Sequence, residues 1–92
     1  MTPDSVRVTV RFITIMQKYS SKGRREVEME LPTLADQAID LIIERCEIPW
    51  RDNLEKQVRI FIEGLAYDAF LATEQSLKDG DTISFIPVSC GG

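Results

Sequence analysis

The chain closes on Val88-Ser89-Cys90-Gly91-Gly92. This is where chemistry is available, because the usual catalytic groups are scarce elsewhere. There is no histidine, which removes the usual general base near neutral pH and the commonest metal ligand. The two cysteines, Cys46 and Cys90, cannot form a zinc site by themselves, and two are too few for a disulfide framework. A Gly-Gly end offers a carboxylate at Gly92 on backbone with no side chains. Glycine adopts angles other residues avoid, so such an end can enter a narrow site on another protein. Four residues, Ser89 to Gly92, reach roughly 13 Å at about 3.3 Å each. A carboxylate is a poor electrophile, so reaction at Gly92 requires activation from outside. Two glycines alone are also what a frayed terminus looks like, so their meaning depends on what holds them.

The preceding residues supply a base. Val6, Val8, Val10 and Phe12 alternate with Arg7, Thr9 and Arg11, the period of a half-buried strand. Ile13-Thr14-Ile15 either extends it or begins an irregular segment, and Tyr19 to Gly23 reads as a loop. Val27, Met29 and Leu31 alternate with Glu26, Glu28 and Glu30, predicting a second strand with an acidic outer face and an antiparallel hairpin. Thr33 is placed to N-cap a helix, with Asp36 three residues on. Leu34, Ala38, Leu41, Ile42 and Cys46 recur at helical spacing, predicting a helix over Leu34–Cys46 bounded by Pro49. Cys46 then reads as a small core residue. Val58, Ile60 and Ile62 make a third strand, Glu63-Gly64 a turn, and Ala66 to Leu71 a short strand. Leu77-Lys78-Asp79-Gly80-Asp81 is a polar turn in which Gly80 is a candidate for positive φ. Thr82 to Ile86 is the last strand, and Pro87 ends it by removing an amide donor.

The predicted fold is therefore α+β, with one main helix across a mixed sheet of about five strands. The order fits a β-grasp, in which the first and last strands lie central and parallel. Residues 1–87 form the domain and 88–92 a flexible C-terminal tail. At 92 residues the chain affords one domain with a modest core, and no room for separate cofactor and substrate lobes. Hydrophobic content of 43% and charged content of 28% are ordinary for a globular protein. The net charge of −4 argues against nucleic acid or an anionic membrane as main partner, and is compatible with a basic protein surface. The N-terminus lacks a signal-peptide pattern and no apolar run approaches a membrane span. A reducing cytoplasm is the expected compartment.

The block Leu77-Lys78-Asp79-Gly80-Asp81-Thr82-Ile83-Ser84-Phe85-Ile86-Pro87, leading to Gly91-Gly92, resembles the ubiquitin-like sulfur-carrier family (MoaD/ThiS). The similarity is greatest to the branch containing the small subunit of molybdopterin synthase. Glu63-Gly64 stands where that family often has Asn-Gly, and Arg11-Phe12 and Glu30-Leu31-Pro32 also agree. The family often ends Pro-Pro-Val-Ser-Gly-Gly. Here the second proline is lost and Cys90 precedes the glycines.

The resemblance implies that a separate, ubiquitin-activating-like adenylyltransferase adenylates Gly92 with ATP and Mg. A sulfur donor such as a cysteine desulfurase or rhodanese then allows conversion to a thiocarboxylate. Val88, Ser89, Cys90 and Gly91 would enter the partner's active site. In this branch the recipient is the large subunit of molybdopterin synthase, and the sulfur goes to molybdopterin in molybdenum or tungsten cofactor biosynthesis. No cofactor is expected on the chain itself and no autonomous catalytic site, although it could serve as the sulfur-donating small subunit of that synthase. The alternatives are a carrier for thiamine thiazole, amino-acid or tRNA thiolation, a protein modifier joined through Gly92, and a β-grasp interaction domain with an inert tail. The Cys90 thiol could exchange with a persulfide or acyl disulfide; the simpler reading, a small residue in place of serine, is adopted. Phe61, out of phase with Val58, Ile60 and Ile62, is expected on the sheet face away from the helix. Phe61 and Phe85, with Val88 and Phe70, are the candidates for a partner surface.

Overall fold

A computed structural model describes residues 5–20, 23–50 and 55–87. The first hairpin forms from the two alternating segments. Strand β1 (Ser5–Phe12) pairs antiparallel with β2 (Glu26–Pro32), setting Val8 against Met29 and Val10 against Val27. β-branched valines suit the pleat, and Val8, Val10 and Phe12 are fully buried. On the other face the register places Arg7 opposite Glu30 and Arg11 opposite Glu26, with an ion pair of 3.4 Å between Arg11 Nε and Glu26 Oε1. Ile13-Thr14-Ile15 does not extend β1. A 3₁₀ helix (Thr14–Tyr19) follows and drives Met16 fully into the core.

Helix α1 (Ala35–Arg45) buries Ala35, Ala38, Ile39 and Ile42, the i, i+3, i+4, i+7 stripe of an amphipathic helix. Its start differs from expectation. Leu34 is the N-cap, extended and 50% exposed, rather than the first core residue. Thr33 does not cap: its carbonyl accepts the Leu77 amide at 2.7 Å, while Asp36 Oδ1 accepts the Gln37 amide. The end is a Schellman motif. The Ile48 amide donates to Ile43 O and the Glu47 amide to Glu44 O, with Glu47 at φ 52° where glycine is usual. Ile48 is buried as the motif's apolar closure. Cys46 is half-buried against the core.

A short helix α2 (Glu55–Gln57) leads into β3 (Val58–Ile62). The predicted strand over Ala66 to Leu71 is corrected: only Leu65–Ala66 (β4) pairs with β3, and Tyr67–Ala72 forms helix α3. The turn between β3 and β4 has positive φ at both central residues, Glu63 (50°) and Gly64 (84°), as a type I′ hairpin turn requires. Helix α3 turns Phe70 into the core. Strand β5 (Thr82–Pro87) completes the sheet in the order β2-β1-β5-β3-β4. β5 runs parallel to β1 and antiparallel to β3. This is the β-grasp expected from the sequence, with the first and last strands side by side at its centre.

Candidate functional site

The strand that leads to Gly91-Gly92 is held from both sides. The register pairs Phe12 with Phe85 in β1, and Arg59 with Ile86 and Val58 with Pro87 in β3. Beyond the β1 ladder, the Ile13 amide donates to Phe85 O at 3.2 Å. At the far end, the loop before β5 is fixed to β1. The Arg7 amide donates to Asp79 Oδ1 (2.8 Å), the Gly80 amide to Arg7 O (2.9 Å), and the Thr9 amide to Asp81 O (2.9 Å). Asp81 Oδ2 also accepts the Lys78 amide at 2.8 Å. Gly80 has φ +90°, which explains the glycine. The Leu77–Asp81 block is thus the structural brace of β5. The tail residues Val88, Ser89, Cys90, Gly91 and Gly92 lie outside the described residues.

Phe85 is not a surface residue. Its register with Phe12 turns it to the helix side, where it is fully buried. Its ring stacks on Phe12 with centroids 5.8 Å apart and meets Trp50 edge-on at 6.1 Å. Phe70 is withdrawn from the candidates for the same reason, being buried beneath α3. Phe61 does lie on the open face, half-buried, opposite Ser84.

The apolar residue that the sequence reasoning missed is Ile86, 36% exposed and one residue before the end of β5. A signal existed. Ile83 and Phe85 share one phase of the strand, so Ile86 had to face away from them. Phe61 and Ile86 line a shallow cleft on the open face with Thr9, Arg11, Thr82 and Ser84.

Three titratable groups are perturbed. Burial, followed by the hydrogen bond and charge of Asp81, raises the Glu63 carboxyl. Burial raises the Tyr67 phenol, assisted by Asp36, Asp40 and Asp68. Burial raises the Cys46 thiol against the opposing charge of Arg45. Of the three, Glu63 lines the open-face cleft together with Phe61, Ile86 and Glu26. No group of three or more His, Cys, Asp or Glu that could hold a metal occurs among the described residues. Nor is any helix among them long and apolar enough to cross a membrane. The arrangement holds the base of a terminal segment from both sides, with Ile86 beside its root and Phe61 farther along the same open face.

A sheet of this order with its last strand central defines a ubiquitin-like β-grasp domain. The chain belongs to the ThiS family, whose model matches residues 10–92. Among solved structures it is similar to the small archaeal modifier protein 1 from Methanosarcina acetivorans. That likeness has a TM-score of 0.72 at 18% identity, covering 98% of this chain and 100% of the other. It is also similar to a protein assigned as molybdopterin converting factor, subunit 1, from Pyrococcus furiosus. There the TM-score is 0.64 at 26% identity, covering 91% of this chain and 99% of the other. No curated protein matches at a significant level.

Proposed function

We propose that this protein is a sulfur carrier whose Gly92 carboxylate is adenylated by a separate enzyme and converted to a thiocarboxylate. The observation that carries the reading is the family match, which runs through the brace, β5 and both glycines to residue 92. In the first step a carboxylate oxygen attacks the α-phosphorus of ATP and pyrophosphate leaves, giving the acyl-adenylate. A sulfur nucleophile then attacks the acyl carbon and AMP leaves. With a persulfide donor, a second thiol cleaves the resulting acyl disulfide and frees the thiocarboxylate. ATP and Mg belong to the activating enzyme. This chain contributes a reactive end without side chains and a body that the partner can grip.

The acceptor we propose is a pterin precursor on the large subunit of molybdopterin synthase, in a cytoplasmic pathway. The similarity to the Pyrococcus furiosus converting factor supports that branch. Docking is assigned to Phe61 and Ile86, an apolar pair on the open face of the sheet.

Intact-mass measurement tests the carrier reading. After incubation with an adenylating enzyme of the same organism, ATP, Mg and a cysteine desulfurase or rhodanese, the expected gain is one sulfur in place of one oxygen. No gain with any such enzyme overturns the reading. Diglycine remnants on lysines of other proteins would assign the chain to the modifiers instead.

A further inference from the structure

The chain is acidic overall, with a net charge of −4, which by itself suggests a basic partner. The topology distributes that charge unevenly. β1 and β5 run parallel while β2 and β3 run against them. The ends of β1 and β5 and the beginnings of β2 and β3 therefore share one edge of the sheet, the edge where Pro87 hands over to the tail. Arg11 is at the end of β1 and Lys18 in the 3₁₀ helix after it. Arg24 and Arg25 immediately precede β2, Lys56 lies in α2 two residues before β3, and Arg59 is opposite Ile86. All six are exposed, and they are more than half of the chain's 11 lysines and arginines.

Among residues 11–20, 23–26, 55–59 and 85–87 the carboxylates are Glu26, which is bridged to Arg11, and Glu55, against six lysines and arginines. The opposite edge carries Glu63, Asp79 and Asp81, and two of these carboxylates are engaged by backbone amides of the brace.

Hydrogen bonds to their carbonyls hold the backbone of Arg24 and Arg25 at this edge. The Phe12 amide donates to Arg25 O at 2.7 Å, and the Ser20 hydroxyl donates to Arg24 O. Arg25 and Arg11 line a cleft with Ile13 and Gln17. Ile13 is the residue bonded to Phe85, so the cleft lies against the last part of β5. We infer that this ring of cations docks on an acidic rim around the tail-accepting site of a partner protein. The partner contact thus has a sign opposite to that suggested by net charge. The inference rests on the carrier reading and specifies the chemistry of its partner. Charges so exposed act mainly on encounter and orientation, and at 0.1 M salt they act over about 10 Å.

The test is ATP–pyrophosphate exchange by the adenylating enzyme of the same organism, with the full chain as substrate, over a range of NaCl concentrations. For R24E/R25E the expected result is a KM raised about tenfold with kcat unchanged, the range of effect that rim charges produce. Salt should raise the wild-type KM and leave the variant's nearly flat. R59E, on another strand, should repeat the loss, and K78E, on the opposite edge, should leave KM within about twofold. Thermal melts of each variant separate these effects from unfolding. Exchange by the wild type with an unchanged KM in both R24E/R25E and R59E overturns this inference alone. No exchange by the wild type overturns the carrier reading and this inference with it. Wild-type binding to tRNA that R24E/R25E abolishes, with exchange unaffected, assigns the cations to nucleic acid and likewise overturns it.

Discussion

The backbone amide of Arg7 donates to Oδ1 of Asp79 at 2.8 Å, across 72 positions of sequence. Arg7 O in turn accepts the Gly80 amide, so one residue of β1 receives the loop before β5 at both of its polar backbone groups. Asp79→Ala should lower stability by about 1 kcal/mol, the usual net worth of one such bond. Gly80→Ala should cost about 1–3 kcal/mol. No atom crowds the added methyl, so its cost comes from φ +90° alone. Urea unfolding of the two variants checks both values.

Glu63 is at odds with its surroundings twice over. Its φ of 50° suits asparagine better than glutamate, and its carboxyl is raised by burial and by Asp81. Glu63→Asn should therefore stabilise the protein by about 1 kcal/mol through the backbone. The pH dependence has a definite sign. A carboxyl raised in the folded state holds its proton more tightly than in the unfolded state. Its contribution is full below the ordinary 4.5 and is lost as pH rises through the elevated value. The difference in melting temperature between wild type and Glu63→Asn, followed from pH 4 to 7, should move against the wild type as pH rises.

Phe85 and Phe61 should separate structure from docking. Phe85→Ala removes a ring packed between Phe12 and Trp50, and should cost about 3–5 kcal/mol. Phe61→Ala and Ile86→Ala should each cost under about 1 kcal/mol of stability, because both side chains remain partly in water. Each should nonetheless weaken kcat/KM for adenylation at least tenfold, equal to about 1.4 kcal/mol of lost contact. Calorimetry and exchange kinetics on the same samples distinguish the two classes.

The cysteines should differ in reactivity. Burial raises the Cys46 thiol, so less thiolate is present at a given pH. Iodoacetamide at pH 8 should alkylate Cys46 slowly in the native protein and at the free-thiol rate in urea. Cys90→Ser should acquire sulfur at the wild-type rate, read from the time course of the mass gain.

Much of the fold was legible because its signals are local. Val6 to Phe12 and Val27 to Leu31 alternate without interruption, and Leu77 to Pro87 combines a turn with a strand. Phe61 was placed on the open face by phase alone, and there it lies. The misreadings occur where tertiary packing decides between local options. Ala66 to Leu71 contains enough apolar residues for a strand, yet only two residues find a partner strand before Phe70 is drawn into the core. Phe85 and Ile86 are adjacent and both apolar, so composition does not say which faces the helix; the pairing of Phe85 with Phe12 does. The cationic edge was invisible for another reason. Lys18, Arg25, Lys56 and Arg59 come together only through the opposed strand directions.

The central position of β5 also has a mechanical meaning. Any force applied at Pro87 along β5 would act on the axis of a strand bonded on both sides, to β1 and to β3. The load falls on both ladders in shear, whereas an edge strand would peel away one bond at a time. On the carrier reading proposed above, the fold would therefore stay intact as the domain is passed from one binding site to another.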